Sequence, residues 1–151
     1  MALYFLETSA LVKLYVREAG TERLLELAAH AKGNQLAILS LAKVELHSAI
    51  RRRERSGELA STAADQLLAL FHLHLEARFL LQQVSEHLLD TASVMIDRHG
   101  LRAYDAVQLA GYLVLRNSAG ENVPVFVCAD QSLLVAAQRE GAPVIDPCSG
   151  A

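Results

Sequence analysis

Cysteine is scarce in this sequence, and long apolar runs are missing from it. The two cysteines among 151 residues, Cys128 in an apolar run and Cys148 in the tail, provide neither a disulfide framework nor a metal-binding spacing, so we predict no particular role for either. No apolar run approaches the roughly 18 to 20 residues that a membrane span requires, and no basic region precedes an apolar segment at the N-terminus. The sequence therefore predicts a cytoplasmic protein without a membrane segment.

Positive charge and aromatic side chains are also in short supply. The formal net charge is −3 and the isoelectric point is near 6.0, so the molecule has no overall positive field that would attract a polyanion. Contact with nucleic acid would have to come from a local patch or through a bound metal. Aromatic residues make up 5% of the chain, which gives little basis for base stacking as the main means of binding nucleic acid.

Short apolar strands alternate with helices along the chain. Strands are predicted over 3–6, 35–39, the run VPVFVCA and 143–145, and the apolar piece RFLLQQV is ambiguous but could be a strand. Helices are predicted over 9–17, 21–32, from an N-cap at Ser40 to 55, 59–77, a segment ending at His99, 102–117 and 131–140. This alternation, with no linker to divide residues 1–151, predicts one α/β domain in which helices cover both faces of a parallel sheet.

Two acidic residues lie where predicted strands end. Glu7 follows the first strand and Asp130 follows a later one. Ligands of parallel sheets bind in the crevice at the carboxyl ends of the strands, so both positions suit a functional site. Each residue also has a structural explanation, because either could cap the helix that follows it.

Two further acidic residues lie on predicted helices. Glu45 shares a helix face with Leu41 and Ala49, so its carboxylate lies on or beside the apolar side and needs a partner. A salt bridge to a neighbouring Lys or Arg would satisfy it without any functional role. Asp105 falls in the first turn of its helix, where a negative charge favourably meets the N-terminal dipole.

The four acids taken together indicate a cation site at one edge of the sheet. Like charges brought together repel each other unless a cation compensates them. Hard oxygen ligands without Cys or His spacing nearby favour Mg²⁺ or Mn²⁺ over zinc. One or two such ions can lower the pKa of a bound water and stabilise the charge that grows on a phosphodiester during in-line displacement.

Four motifs resemble those of the PIN-domain nucleases, and within them the toxin component of VapBC-type toxin–antitoxin pairs. The opening YFLETSALVKLY is similar to the family's strand followed by Asp-Thr-Ser-Ala, and SLAKVELHSAIRR to its Glu-bearing helix. The stretches LRAYDAVQLA and VFVCADQSLLVAAQREG resemble its third and fourth acidic motifs. The order and spacing of the four motifs, over nearly the whole chain, make the resemblance specific.

The resemblance implies a three-layer α/β/α sandwich with a central parallel sheet and endoribonuclease activity. It implies a Mg²⁺ or Mn²⁺ site formed by Glu7, Glu45, Asp105 and Asp130, with a metal-activated water attacking phosphorus. Ser9 matches the family's hydroxyl next to the first acid, which holds a metal-bound water or steadies that acid. For a toxin of this kind the resemblance further implies an RNA substrate, a homodimer and an antitoxin protein that neutralises it.

The sequence departs from the family pattern at two positions. Glu7 replaces the usual Asp, and its extra methylene can move the carboxylate by roughly 1.5 Å. Cys128 stands where relatives commonly have Thr or Ser. A catalytically degenerate PIN-like module that binds metal or RNA without cutting is therefore the alternative. A receiver-like phosphoacceptor domain fits less well, because the acids lie on helices as well as at strand ends.

Basic residues near the predicted acids could have either of two roles. Lys13, Arg51, Arg52 and Arg53 are candidates for contacting RNA phosphates. The three arginines also close the helix that carries Glu45, where positive charge suits the dipole and exposure to solvent is expected. Lys13 could instead pair with Glu45. The six histidines form no ligand cluster in the sequence, and we predict no catalytic role for them.

Overall fold

The computed structural model of the chain describes residues 2–29 and 33–149. Its sheet contains five strands, β1 (Leu3–Leu6), β2 (Gln35–Leu39), β3 (Phe79–Gln82), β4 (Val125–Val127) and β5 (Val144–Ile145). They run in the spatial order β3-β2-β1-β4-β5, and all four pairings are parallel. The ambiguous segment RFLLQQV thus supplies an edge strand, and β1 lies at the centre.

Seven helices surround the sheet in the described part of the chain. They are α1 (Thr8–Leu11), α2 (Thr21–Ala28), α3 (Ala42–Arg55), α4 (Ser61–Ala77), α5 (Glu86–His99), α6 (Ala103–Ser118) and α7 (Gln131–Arg139). None of the helices within 2–29 and 33–149 combines the length and apolarity that crossing a membrane demands.

Side chains that alternate along the strands pack into two separate hydrophobic cores. Phe5 points into a core shared with α5, α6 and α7, whereas Leu6 belongs to a core shared with α1 to α4. Both side chains are fully buried. Because successive residues of a strand face opposite sides of a sheet, one central strand anchors both helical layers. The predicted three-layer α/β/α sandwich with a parallel sheet is confirmed.

The segment after β1 is shorter than the predicted helix over 9–17. Helix α1 ends at Leu11 and is followed by a 3₁₀ turn, Val12–Leu14. Tyr15 is buried just beyond that turn, where its ring meets the Phe71 ring of α4 edge to face and its hydroxyl bonds His74 Nδ1 at 2.7 Å. These contacts with a distant helix compete with local helical periodicity, and the periodicity alone does not reveal them.

Two other predicted boundaries also change. Ser40 is not the N-cap of the third helix, since Leu41 occupies that position, and the Ser40 backbone N–H instead extends the pairing of β2 with β3 by donating to the carbonyl of Gln82. Helix α3 starts at Ala42 with Leu41 as a cap that makes no side-chain bond. The predicted end of the second helix at 32 lies outside the described residues.

Candidate active site

A cavity of about 600 Å³ lies at the carboxyl edge of the sheet and is lined by all four predicted acids. Glu7 directly follows β1, and Asp130 lies between β4 and α7. Glu45 comes from the first turn of α3 and Asp105 from the first turn of α6. Helices on both faces of the sheet therefore contribute a carboxylate to the same space.

Glu7 is held tightly at the base of this cavity, with only 6% of its surface exposed. It is the N-cap of α1, and its Oε2 accepts hydrogen bonds from the Ser9 backbone N–H at 2.9 Å, from the Ser9 hydroxyl, and from the Cys128 thiol at 3.3 Å. Burial raises the pKa of Glu7 above its ordinary value, although these hydrogen bonds act in the opposite direction. The capping explanation for Glu7 is thus correct, and it coexists with a place in the cavity.

Ser9 and Cys128 connect the ends of the two central strands around Glu7. The Ser9 hydroxyl accepts from the Ala129 backbone N–H at 3.0 Å, and the Cys128 sulfur accepts from the Asp130 backbone N–H at 3.3 Å. Burial raises the pKa of the Cys128 thiol, which keeps it a neutral donor to Glu7. The prediction that Cys128 has no particular role was wrong, because its thiol contacts the first acid directly.

Glu45 is satisfied by neutral donors and not by an ion pair. Its Oε1 accepts from the Thr8 hydroxyl at 3.1 Å and from Gln108 Nε2 at 2.7 Å. No salt bridge to Glu45 occurs within residues 2–29 and 33–149, and Lys13 pairs instead with Glu18 at 2.9 Å. Burial is the main cause that raises the pKa of Glu45. Both salt-bridge explanations offered for this residue were therefore wrong.

Gln108 is the site residue that the sequence did not reveal. It is fully buried on α6, one turn after Asp105, and its Nε2 also donates to the Thr8 hydroxyl at 2.9 Å. Its Oε1 is buried without a partner in the structure. The available signal was a long polar side chain within an otherwise apolar stretch of α6, at a spacing of three from an acid.

Asp105 and Asp130 have opposite pKa shifts. The Asp105 carboxyl is half-buried, and burial together with the negative charge of Asp130 raises its pKa. Asp130 caps α7, where its Oδ1 accepts from the Ser132 hydroxyl at 2.7 Å and the Leu133 backbone N–H at 3.0 Å, and these bonds lower its pKa. The predicted cap is confirmed, and the same residue lines the cavity.

The four basic candidates differ in what their side chains contact. Lys13 and Arg53 line the cavity, but both bind Glu18, at 2.9 and 3.0 Å. Arg51 does not line it and bonds Glu54 and Asp65, each at 2.9 Å. Arg52 lines the cavity and is exposed, and no ion pair engages it in the described part of the chain.

The donor chemistry of the cavity fits a hard divalent cation. Four carboxylates provide oxygen ligands of the kind that Mg²⁺ and Mn²⁺ prefer. Their mutual repulsion is part of what raises the pKa of Glu7 and Asp105. Within 2–29 and 33–149, however, no three His, Cys, Asp or Glu side chains converge closely enough to surround one ion.

The sequence matches the PIN domain family model over residues 4–111. That match covers most of the chain, from β1 into α6, and includes Glu7, Glu45 and Asp105. The protein belongs to the PIN domain family, as the four motifs indicated.

The fold is similar to that of solved structures from Pyrobaculum aerophilum and Rickettsia felis. PAE2754 from Pyrobaculum aerophilum is 25% identical, with a TM-score of 0.63 over 96% of this chain and 90% of that one. VapBC2 from Rickettsia felis, bound to a DNA fragment from their promoter, includes a chain that is 15% identical, with a TM-score of 0.61 over 95% of this chain and 97% of that one. No curated protein sequence matches this chain.

Proposed function

We propose that the protein is a Mg²⁺- or Mn²⁺-dependent endoribonuclease and the toxin of a type II toxin–antitoxin pair. PIN domains are generally nucleases that use divalent metals, and membership of that family supports the class of reaction. The observation that carries the proposal is the convergence of four carboxylates from both helical layers on one cavity. Such a cavity repels the phosphates of RNA unless a cation is bound in it.

Each carboxylate of the proposed site has supporting partners. Glu7, Glu45, Asp105 and Asp130 would hold the ion directly or through water. Ser9 and Cys128 fix Glu7, while Thr8 and Gln108 fix Glu45. A bound divalent ion supplies a nucleophile at neutral pH by lowering the pKa of water, and it stabilises the charge developing on the phosphate.

The toxin assignment rests on the VapBC-type motifs and on the fold shared with VapBC2. It implies a cytoplasmic protein, a cognate antitoxin and a homodimer. Apolar surface for such contacts exists, because Leu73 of α4 is 70% exposed and Leu80 of the edge strand β3 is also exposed. A protein partner covering these side chains would remove them from water.

The first test is cleavage of a mixed pool of structured and single-stranded RNA by the purified, partner-free protein. We expect cutting in Mg²⁺ or Mn²⁺ that EDTA stops, and a loss of at least about 100-fold in Asp105→Asn, because one cation ligand is gone. The matched control is Asp97→Asn, which alters an exposed aspartate on α5 outside the cavity and should cut normally. Equal activity of Asp105→Asn and the parent would overturn the proposed site.

A metal- or RNA-binding module that does not cut is the second candidate function. It is favoured by the three donors that already engage one oxygen of Glu7 and by the spacing of the acids. Glu7→Asp separates the two functions in the same cleavage assay. For a working nuclease we expect a rate within tenfold of the parent, whereas cutting that appears only in Glu7→Asp would establish that the native chain is a binding module.

A further inference from the structure

Two exposed apolar side chains lie in the cavity beside the acids. Tyr104 and Val44 are each 66% exposed, and both line the cavity. Tyr104 directly precedes Asp105 on α6, and Val44 directly precedes Glu45 on α3. Neither side chain belongs to a core, so both are free to contact a ligand in the cavity. Their position suits a ligand with an apolar group next to the carboxylates.

A positively charged side chain that could bind an anion in this cavity, Arg52, lies further along α3. Glu45 and Arg52 both line the cavity, and they are seven residues, or two helical turns, apart, which corresponds to about 10 Å along the axis. A single strand carries one phosphate per roughly 3.4 Å of its axis, so one strand can place a phosphate at the acids and a later phosphate beside Arg52.

We infer that Tyr104, Val44 and Arg52 form a binding rim for single-stranded RNA, in which Tyr104 stacks on an unpaired base next to the scissile phosphate and Arg52 binds a phosphate further along. This inference rests on the proposed nuclease function, because it takes the acids as the place of the reacting phosphate. Proteins bind single-stranded nucleic acid through aromatic rings, on which bases stack, and through positive charges along the backbone. Tyr104 and Arg52 supply these two groups, and Val44 adds an aliphatic contact. Bases in a duplex are stacked on each other and cannot offer a face to Tyr104.

Ion pairs within the protein distinguish Arg52 from the basic residues near it. Lys13 and Arg53 share Glu18, and Arg51 bonds Glu54 and Asp65 outside the cavity. Binding a phosphate through any of these would first require an existing pair to be broken. Arg51 is therefore the matched control for Arg52, with the same charge on the same helix.

The test measures RNA binding without cleavage. Fluorescence anisotropy of a labelled 12-nucleotide single-stranded RNA is recorded with the Asp105→Asn protein in Mg²⁺ as a function of salt, and the same RNA is then tested as a duplex. Adding Tyr104→Ala should weaken binding to the single strand about fivefold or more, and Tyr104→Phe should restore it. Adding Arg52→Ala should lower the salt slope by about 0.7, and Arg51→Ala should leave it unchanged.

Several results would overturn the rim. They are equal binding of single strand and duplex, unchanged binding in Tyr104→Ala, or a Tyr104→Phe protein as weak as Tyr104→Ala. Binding that depends on the rim in a protein that cuts no RNA would support the rim and refute the nuclease, so the two failures are distinguishable.

Discussion

Replacing Glu7 by Gln should stabilise the fold increasingly as the pH rises and should abolish cleavage in the same protein. The carboxylate of Glu7 is buried, and removing it from water raises its pKa above 4.5, the ordinary value. A neutral amide of the same shape can still accept the hydrogen bonds of Ser9 through its oxygen. It cannot, however, supply the negative charge that the proposed cation requires.

The direction of the pH dependence follows from proton binding in the two states. Above pH 4.5 the unfolded chain loses the Glu7 proton while the folded chain still retains it, so the folded state binds more protons. Stability conferred by this residue is full below pH 4.5 and falls as the pH rises towards the raised pKa. Gln does not titrate, so the stability of Glu7→Gln relative to the parent should increase across that window and then level off.

Urea unfolding of both proteins between pH 4 and 9, without divalent ions, measures this difference. Glu26→Gln, on the exposed face of α2, is the control and should show a difference that stays small at every pH. Adding Mn²⁺ should stabilise the parent more than Glu7→Gln, since ligand binding to the native state adds to its stability. A difference between Glu7→Gln and the parent that does not change with pH would refute this account of Glu7.

Phe5→Ala should cost about 3–5 kcal/mol of folding free energy, the largest loss we expect from one core residue. Phe5 is fully buried in the central strand, and its ring centroid lies 5.9 Å from that of Phe126 and 6.0 Å from that of Tyr112. A domain with a total stability of about 5–15 kcal/mol would lose a large fraction of it.

Chemical denaturation at one pH tests the Phe5 prediction against two comparisons. Phe5→Leu keeps most of the volume and should lose less than Phe5→Ala. Leu73→Ala removes an exposed side chain from α4 and should change stability by less than about 0.5 kcal/mol. If Phe5→Ala costs no more than Leu73→Ala, the aromatic cluster around the central strand does not determine stability as the packing indicates.

The placement of the acids could be predicted because it follows from strand direction. Parallel strands end at one edge of the sheet, so Glu7 and Asp130 had to lie near each other once the strands were recognised. Apolar periodicity likewise predicted the side of α3 that carries Glu45. These inferences need only the direction of each element and the face that it buries.

The partners of those acids could not be predicted in the same way. Gln108 meets Glu45 across 63 residues of sequence, and Thr8 meets it across 37. Periodicity specifies a buried face but not which polar atoms on two distant elements come within hydrogen-bond distance. The short α1 has the same origin, because the burial of Tyr15 depends on α4, which follows much later in the chain.

The hydrogen bond between Cys128 and Glu7, which are 121 residues apart, has a consequence for synthesis of the protein. Cys128, which donates to Glu7, is synthesised 121 residues after it, together with the neighbouring β4 and Asp130. Non-local contacts of this kind form only after the later segment is available. A nascent chain in which only Glu7, Glu45 and Asp105 of the four acids have been synthesised therefore lacks a complete site, and the cavity closes only when β4 pairs with β1.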